Sequence, residues 1–410
     1  MAKILWISDS TLFMTGFSTE SKELCKRLTR AGHEVFYLGH GYAGQTLKPK
    51  GNKPAACFED GEELPYTILS GGKAAYNADV LQPYIKKLQP DILGTLLDTF
   101  MVMPWYPQLD FTPAKTTFWF PSDGGWFPAG CETVLKKCNF PVAMAKFGQA
   151  QLKNTYGIDV DYIPHGVMSD HYFPFSPEKK EAAKAKWNIQ GKFVVGCVSR
   201  NQGRKMLDRQ MKAFALFAKD KNDVVMLMHS DPGDVAAATN LPNLSRRFGF
   251  ENKIIWSGMS FFNAFTTEQM RDVYNAMDVH FLTTSGEGFG IPFIEAMACG
   301  VPNVATDYTT TKELITDWNA GLGIPLVGEE NIRPYPSEQI FDGTLTGTYD
   351  VDRGMCSIKK AAELLQYMYD NPKERIKMGQ NGRKAVFAEY DWETQVWPRW
   401  RNKINQILEY

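Results

Sequence analysis

The alternation of short apolar runs with helical periods constrains this 410-residue chain more than any other feature. Lys3-Ile-Leu-Trp-Ile7 is too short for a helix and reads as a buried strand. The polar stretch Ser8–Ser18 follows, then a helical period with Leu24, Leu28 and Ala31 on one side. Gly32 closes that helix, and Glu34–Leu38 supplies a second strand. Strand, loop, helix and strand in this order open a doubly wound α/β domain, because parallel strands need a long crossover. The pattern continues with a helix at 79–88 and strands at Asp91–Leu97, Thr116–Phe120 and Val142–Ala145, the last followed by a helix to about Tyr156. It restarts at Phe193–Val198 with a helix over about 206–219, strands at Val224–Met228 and Ile254–Trp256, and a helix at Thr267–Ala276. Strands at Val279–Thr283 and Val301–Ala305 and helices at Ile358–Tyr369 and Pro372–Glu389 complete it. A chain of this length is long for one core, so two domains are expected, 1–171 and 172–390. The Pro- and charge-rich stretch 174–190 reads as a linker, and 325–354 as a loop insertion. Residues 41–78 give no clear element.

Within the second half, residues 285–303 read Ser-Gly-Glu-Gly-Phe-Gly-Ile-Pro-Phe-Ile-Glu-Ala-Met-Ala-Cys-Gly-Val-Pro-Asn. Pro292 sits where a helix should begin, since an early helical residue needs no N–H. Ahead of it, Gly288 and Gly290 allow bare backbone to approach a ligand. A helix start offers unpaired N–H groups and partial positive charge, which suit a phosphate. Glu287 and Glu295 flank the turn and can accept from hydroxyls on either side. A phosphate between two polyols describes a nucleotide sugar. Val198-Ser-Arg-Asn-Gln-Gly-Arg-Lys205 lies between a strand and a helix, and Arg200 and Lys205 could neutralise a diphosphate there. Spacing alone also fits a solvated basic loop.

The string 285–303 resembles the Glu-x7-Glu signature of retaining glycosyltransferases of the GT-B fold, in particular glycosyltransferase family 4 (glycosyl transferases group 1). The resemblance covers the donor half well and the acceptor half loosely. It implies two Rossmann-like domains facing each other across a cleft, with a terminal helix (391–410) returning to the first domain. It gives Glu295 to the donor ribose and Glu287 to the transferred sugar. Backbone N–H groups of Gly288, Phe289, Gly290 and Ile291 would contact the sugar and phosphates. Arg200 and Lys205 look like the family's Arg-x4-Lys diphosphate site, with no role given to Arg204. Gly16 stands where backbone from the opposite domain meets the diphosphate. Ser257-Gly258 stands where backbone meets the nucleobase, a readout that leaves no side-chain trace, with UDP and GDP the expected carriers. Asp123, beside Ser122, occupies the place of a His or Asp near the reacting sugar. It could bind a hydroxyl or help receive the acceptor's proton, although an Asx turn before Gly124-Gly125 explains it nearly as well. His165 resembles a structural turn residue, and His229 fits either the nucleotide side or a hydrogen-bonded turn.

The reaction implied is transfer of a sugar from a nucleotide-diphosphate sugar to an acceptor hydroxyl with retention of configuration. Rival readings are a nucleotide-sugar epimerase of GT-B fold, a non-catalytic nucleotide-sugar-binding protein and a dinucleotide-dependent oxidoreductase. The last lacks Gly-x-Gly-x-x-Gly after the first strand. Asp159/Asp161 and Asp350/Asp352 form Asp-x-Asp pairs beside turns, away from the nucleotide signature. They are read as surface loops, and no metal or other cofactor is expected. A net charge of −1 gives no bulk attraction to nucleic acid or anionic lipid. Seven scattered cysteines without a Cys-x-x-Cys pair, and no long apolar run, point to a reducing, cytoplasmic setting. Peripheral membrane contact, the oligomeric state and the identity of the acceptor stay open. Residues 41–78 and 99–113 are expected to shape the acceptor pocket.

Overall fold

The computed structural model describes residues 1–11, 13, 15–49, 63–234, 237–260, 265–332 and 351–410. The first sheet contains β1 (Lys3–Asp9), β2 (Glu34–His40), β3 (Thr67–Leu69), β4 (Ile92–Thr95), β5 (Lys115–Phe120), β6 (Phe140–Ala143) and β7 (Asp161–Tyr162). Its strands are all parallel, in the order β3-β2-β1-β4-β5-β6-β7. The second sheet contains β8 (Phe193–Val198), β9 (Val224–His229), β10 (Ile254–Trp256), β11 (Val279–Leu282), β12 (Asn303–Thr306) and β13 (Gly321–Ile324). It too is parallel throughout, in the order β10-β9-β8-β11-β12-β13. Both sheets are therefore doubly wound, with a reversal of strand order beside β1/β4 and beside β8/β11. Such reversals leave a crevice at the strands' carboxyl ends, where ligands bind.

Burial follows from covering both faces. All six residues of β8 and of β9 are buried, as parallel strands under helices require. On β1 the two-residue period divides the core: Ile4 and Trp6 join one apolar cluster, Leu5 and Ile7 the other. The Trp6 side is closed by the last helix, Trp397–Glu409, whose Trp400 ring lies 5.8 Å from Trp6 and 5.1 Å from Trp119. Two backbone bonds, Val167 N to Tyr390 O (2.8 Å) and Trp392 N to Val167 O (3.2 Å), join the end of the first half to the returning chain.

Three sequence expectations change. The stretch 174–190 holds a helix, Pro177–Ala185, started by Ser176 as N-cap and Pro177. Its Lys180 and Lys184 pair with Asp278, so charge that reads as solvated linker is docked on the second domain. The insertion near 325–354 is not all loop: β14 (Leu326–Ile332) and β15 (Val351–Cys356) pair as an antiparallel ribbon. Residues 333–350, Asp350 among them, lie outside the described residues. The strand expected at Val142–Ala145 starts earlier and ends at Ala143.

Candidate functional site

The loops after β8 and β11 meet at the second sheet's reversal and are tied to each other. Ser285 N donates to Arg204 O (2.7 Å), and Glu287 N donates to Thr309 Oγ1 (3.0 Å). Inside this junction Lys205 Nζ lies 2.5 Å from Glu287 Oε1 and Arg204 Nη1 lies 2.8 Å from Glu287 Oε2. Glu287 and Lys205 are buried, while 31% of the Arg204 side chain stays exposed. Burial pushes the Glu287 carboxyl up, but Lys205 and Arg204 outweigh it and bring it down to about 2. Burial and the neighbouring Arg204 bring Lys205 down to about 8, with Glu287 opposing. The ordinary state is thus a buried carboxylate held by the buried Lys205 and the partly exposed Arg204.

The Glu287 turn leads into the helix Ile291–Ala298. Gly290 precedes it with φ of 104°, a conformation that favours glycine, and no side chain caps the helix start. Its first-turn N–H groups are therefore free of a side-chain cap. Within this helix Glu295 accepts from the buried Tyr274 hydroxyl at 2.5 Å, which fixes the carboxylate's direction. Facing the same helix start is the first residue of the helix Gly16–Arg30. A Cβ on Gly16 would lie 3.0 Å from Ile291 Cδ1. Gly16 thus begins a helix, not a free loop.

The first domain reaches this site through the segment after β5. A Cβ on Gly286 would lie 2.0 Å from Asp123 O, and one on Gly288 would lie 2.5 Å from Pro121 Cβ, so only glycine permits this approach. Asp123 Oδ2 is 3.1 Å from Arg353 Nη2 and 3.9 Å from Arg204 Nε. Arg353 comes from β15, and Gly125 N donates to Asp352 O at 2.9 Å. The ribbon therefore clasps the segment that carries Asp123.

The structure brings together Glu287, Lys205, Asp123, Gly16, Gly288 and Ile291, with Glu295 on the same helix. Arg200 stays outside this cluster: half-exposed, it sits 3.4 Å from Asp234 Oδ2, while Arg204 takes the inward place. Spacing gave no sign of this, since the choice depends on the tight turn Gly203–Lys205. The Phe289 side chain packs 5.2 Å from His165 and 5.9 Å from Tyr390, which makes it part of the joint between halves. Ser257 follows β10, and its buried hydroxyl is 3.0 Å from His229 Nδ1. Gly258 has φ of 91° with open space beside it. His229 is brought down to about 4 and His165 to about 3, both by burial, so both are neutral. Asp161 is bonded by Lys403 of the last helix, and Asp159 pairs with Lys153. Among the described residues no group of three or more His, Cys, Asp or Glu could hold a metal ion. No helix among them is long and apolar enough to cross a membrane. Arg204, Tyr274 and Arg353 are the site residues that sequence reasoning missed. Each is identified by a contact from a distant part of the chain.

Comparison with known proteins bears on the same region. Residues 179–330 match the family model of glycosyl transferases group 1. A GDP-mannose-dependent monoacylated alpha-(1-6)-phosphatidylinositol monomannoside mannosyltransferase of Corynebacterium glutamicum is 27% identical over 241 residues, 57% of this chain and 53% of that protein. The chain spans about half the length, or less, of the curated relatives it matches first. Among solved structures, sucrose-phosphate synthase from Thermosynechococcus elongatus superposes with a TM-score of 0.75 at 16% identity, over all of both chains. Anabaena Alr3699/HepE in complex with UDP and glucose gives 0.71 at 15% identity, over 99% of this chain and 100% of that one. The architecture is that of GT-B glycosyltransferases: two Rossmann-like parallel-sheet domains.

Proposed function

We propose, with residues 179–330 belonging to glycosyl transferases group 1 and the chain folded as GT-B, that this protein is a retaining glycosyltransferase using a nucleotide-diphosphate sugar. The observation that carries the reading is the convergence of Lys205 and Arg204 on Glu287, just before an uncapped helix start that also carries Glu295. Departure of a nucleoside diphosphate develops negative charge on its leaving oxygens. Lys205, Arg204 and the 291–298 helix start stabilise that charge, an effect that grows toward the transition state. We assign them the charge-neutralising work, without a divalent metal. Arg200, on a long exposed side chain, can join once a diphosphate competes with Asp234. Glu295, aimed by Tyr274, holds the ribose, and Ser257-Gly258 lie toward the base. UDP and GDP are the first carriers to test, given the UDP complex of HepE and the GDP-mannose of the Corynebacterium enzyme.

Retention is taken from the resemblance of 285–303, and the two nearby carboxylates bear on its course. Glu287 is held by Arg204 and Lys205, and Asp123 by Arg353. Carboxylates held in this way are poor nucleophiles, which favours front-face attack with the leaving phosphate receiving the acceptor's proton. The approach of Gly286 and Gly288 to Pro121–Asp123 brings the first domain's segment against the site.

The test is a thermal-shift screen with UDP, GDP and ADP, followed by anomeric analysis of the product by NMR. A nucleoside diphosphate should raise the melting temperature, and Glu295→Ala should weaken that rise. Glu287→Ala should mainly lower turnover. Wild-type transfer rates in both variants would end the site assignment. Interconversion of the donor without an acceptor would establish the epimerase instead. Binding with no release of nucleoside diphosphate would establish a non-catalytic binding protein.

A further inference from the structure

The ribbon β14–β15 enters the site through three consecutive residues, and each holds a different part of it. Asp352 O accepts from Gly125 N at 2.9 Å, and Gly354 N donates to Ser285 O at 3.0 Å. One short stretch of strand is thus bonded both to the first domain's segment after β5 and to the second domain's turn before Glu287. Between these two bonds Arg353, only 3% exposed, turns its guanidinium onto Asp123. Its Nη2 lies 3.1 Å from Asp123 Oδ2, and its Nη1 donates to Asp123 O. The loop after β12 braces the ribbon: the Tyr308 hydroxyl lies 3.0 Å from Glu329 Oε2 on one strand and 3.2 Å from Asp352 O on the other.

The position of Arg204 shows what this arginine does. Arg204 Nε lies 3.9 Å from Asp123 Oδ2, the same oxygen that Arg353 holds at 3.1 Å. Arg204 Nη1 meanwhile serves Glu287 Oε2 at 2.8 Å and Gly286 O at 3.0 Å. Glu287, Arg204, Asp123 and Arg353 therefore form a row of alternating charge across the domain boundary. In such a row the nearer cation takes the larger share of a carboxylate, since attraction falls with distance and is strongest where water is excluded. Arg353 has the shorter contact with Asp123, and the Arg204 side chain stays 31% exposed. Asp98 and Asp9 add negative charge on the same side, with Arg204 and Arg353 opposing it. Without Arg353, Arg204 is left to face Asp98 and Asp123, and its guanidinium is drawn away from a diphosphate.

We propose that Arg353 is a positioning residue: by holding Asp123 it keeps Arg204 available to the donor's diphosphate. This rests on the glycosyltransferase reading, and the two can fail separately.

The experiment is a double-mutant cycle on the full chain, read by calorimetric titration with UDP, GDP and ADP. Arg353→Met should weaken nucleoside diphosphate binding roughly tenfold or more, the size of one charge-assisted hydrogen bond. Arg353→Lys, which keeps a cation beside Asp123, should weaken it by about threefold or less. In an Asp123→Asn background the Arg353→Met change should also cost about threefold or less, because the competing carboxylate is gone. A ribbon with a merely structural role would give the same loss in both backgrounds. Arginine Nε–H NMR reads the capture itself: the Arg204 signal should move downfield in Arg353→Met and return when Asp123→Asn is added. Equal losses in the two backgrounds, or an Arg204 signal that does not move, would overturn the role of Arg353. If Arg353→Met does not fold, Arg353→Gln takes its place in the same cycle. If the wild type binds none of the three nucleotides, the donor reading falls, and the Arg204 signal alone decides whether Arg353 keeps Asp123 from Arg204.

Discussion

Gly16 and Ile291 are the first residues of two helices from opposite domains, and a Cβ on Gly16 would stand only 3.0 Å from Ile291 Cδ1. Two helix starts, each with partial positive charge, therefore face one another at the site where a diphosphate is proposed. The contact is tight for two aliphatic carbons, so a side chain on residue 16 would press on the tip of Ile291.

Gly16→Val should accordingly hold the domains apart. Overpacking of this kind costs roughly 1–3 kcal/mol, and the strain can be relieved by opening instead of unfolding. We expect donor affinity to fall tenfold or more with little change in melting temperature. Adding Ile291→Ala should restore much of the loss. A double-mutant cycle between the two positions checks this, and a coupling near zero would show that they do not meet.

The Tyr274–Glu295 bond makes a different prediction. The hydroxyl lies 2.5 Å from Glu295 Oε2 on a buried side chain and orients the carboxylate. Tyr274→Phe removes one hydrogen bond to a charged group, worth about 1.5–3 kcal/mol. The donor KM should rise while kcat stays within a few-fold. Isothermal calorimetry with the nucleoside diphosphate separates the two, and an unchanged affinity would free Glu295 from the ribose role.

For Lys205 the sign follows from its depressed value of about 8 against an ordinary 10.5. The unfolded chain binds that proton more tightly, so this group's contribution to stability rises with pH between about 8 and 10.5. Donor affinity should move the other way, falling above about pH 8 as the ammonium that faces the diphosphate is lost. Lys205→Arg should flatten the affinity profile over that window. Glu287 acts on the acid side: its carboxyl, ordinarily at 4.5, is held at about 2, so its stabilisation is complete above 4.5 and disappears as pH falls toward 2. The amount is roughly 3 kcal/mol. Denaturant titrations of wild type and Glu287→Gln should converge as the pH falls toward 2.

These side chains also show how much was legible in the sequence. The succession of strands and helices along the chain, the Gly290 turn and the two glutamates are local features: apolar run length, a glycine that permits positive φ, and a proline at a helix start each act over a few residues. Arg204 against Arg200 could not be read the same way. Both are arginines in one loop, and only the turn Gly203–Lys205 decides which faces Glu287. Arg353 was hidden for another reason: β15 forms its ribbon with β14, whose bounds lie in a stretch that is polar and rich in turn residues. The helix Pro177–Ala185 was missed because its lysines look solvated until Asp278 is placed beside them.

The returning helix gives the most direct test of architecture. Trp400 is fully buried, edge-on to Trp6 at 5.8 Å and to Trp119 at 5.1 Å, although it lies nearly 400 residues from the strand it covers. Trp400→Ala would open a cavity in the first domain's core at a cost of about 3–5 kcal/mol. Its indole N–H has no partner among the described residues, so Trp400→Phe loses area and aromatic contact but no hydrogen bond. The Ala variant should therefore be far less stable than the Phe variant in urea. Truncation after Glu389 should expose Trp6 and Trp119, seen as a red shift in their fluorescence. If the truncated chain kept wild-type stability and a wild-type emission spectrum, the last helix would not be the cover of the first sheet, and the joint between the halves would need a different account.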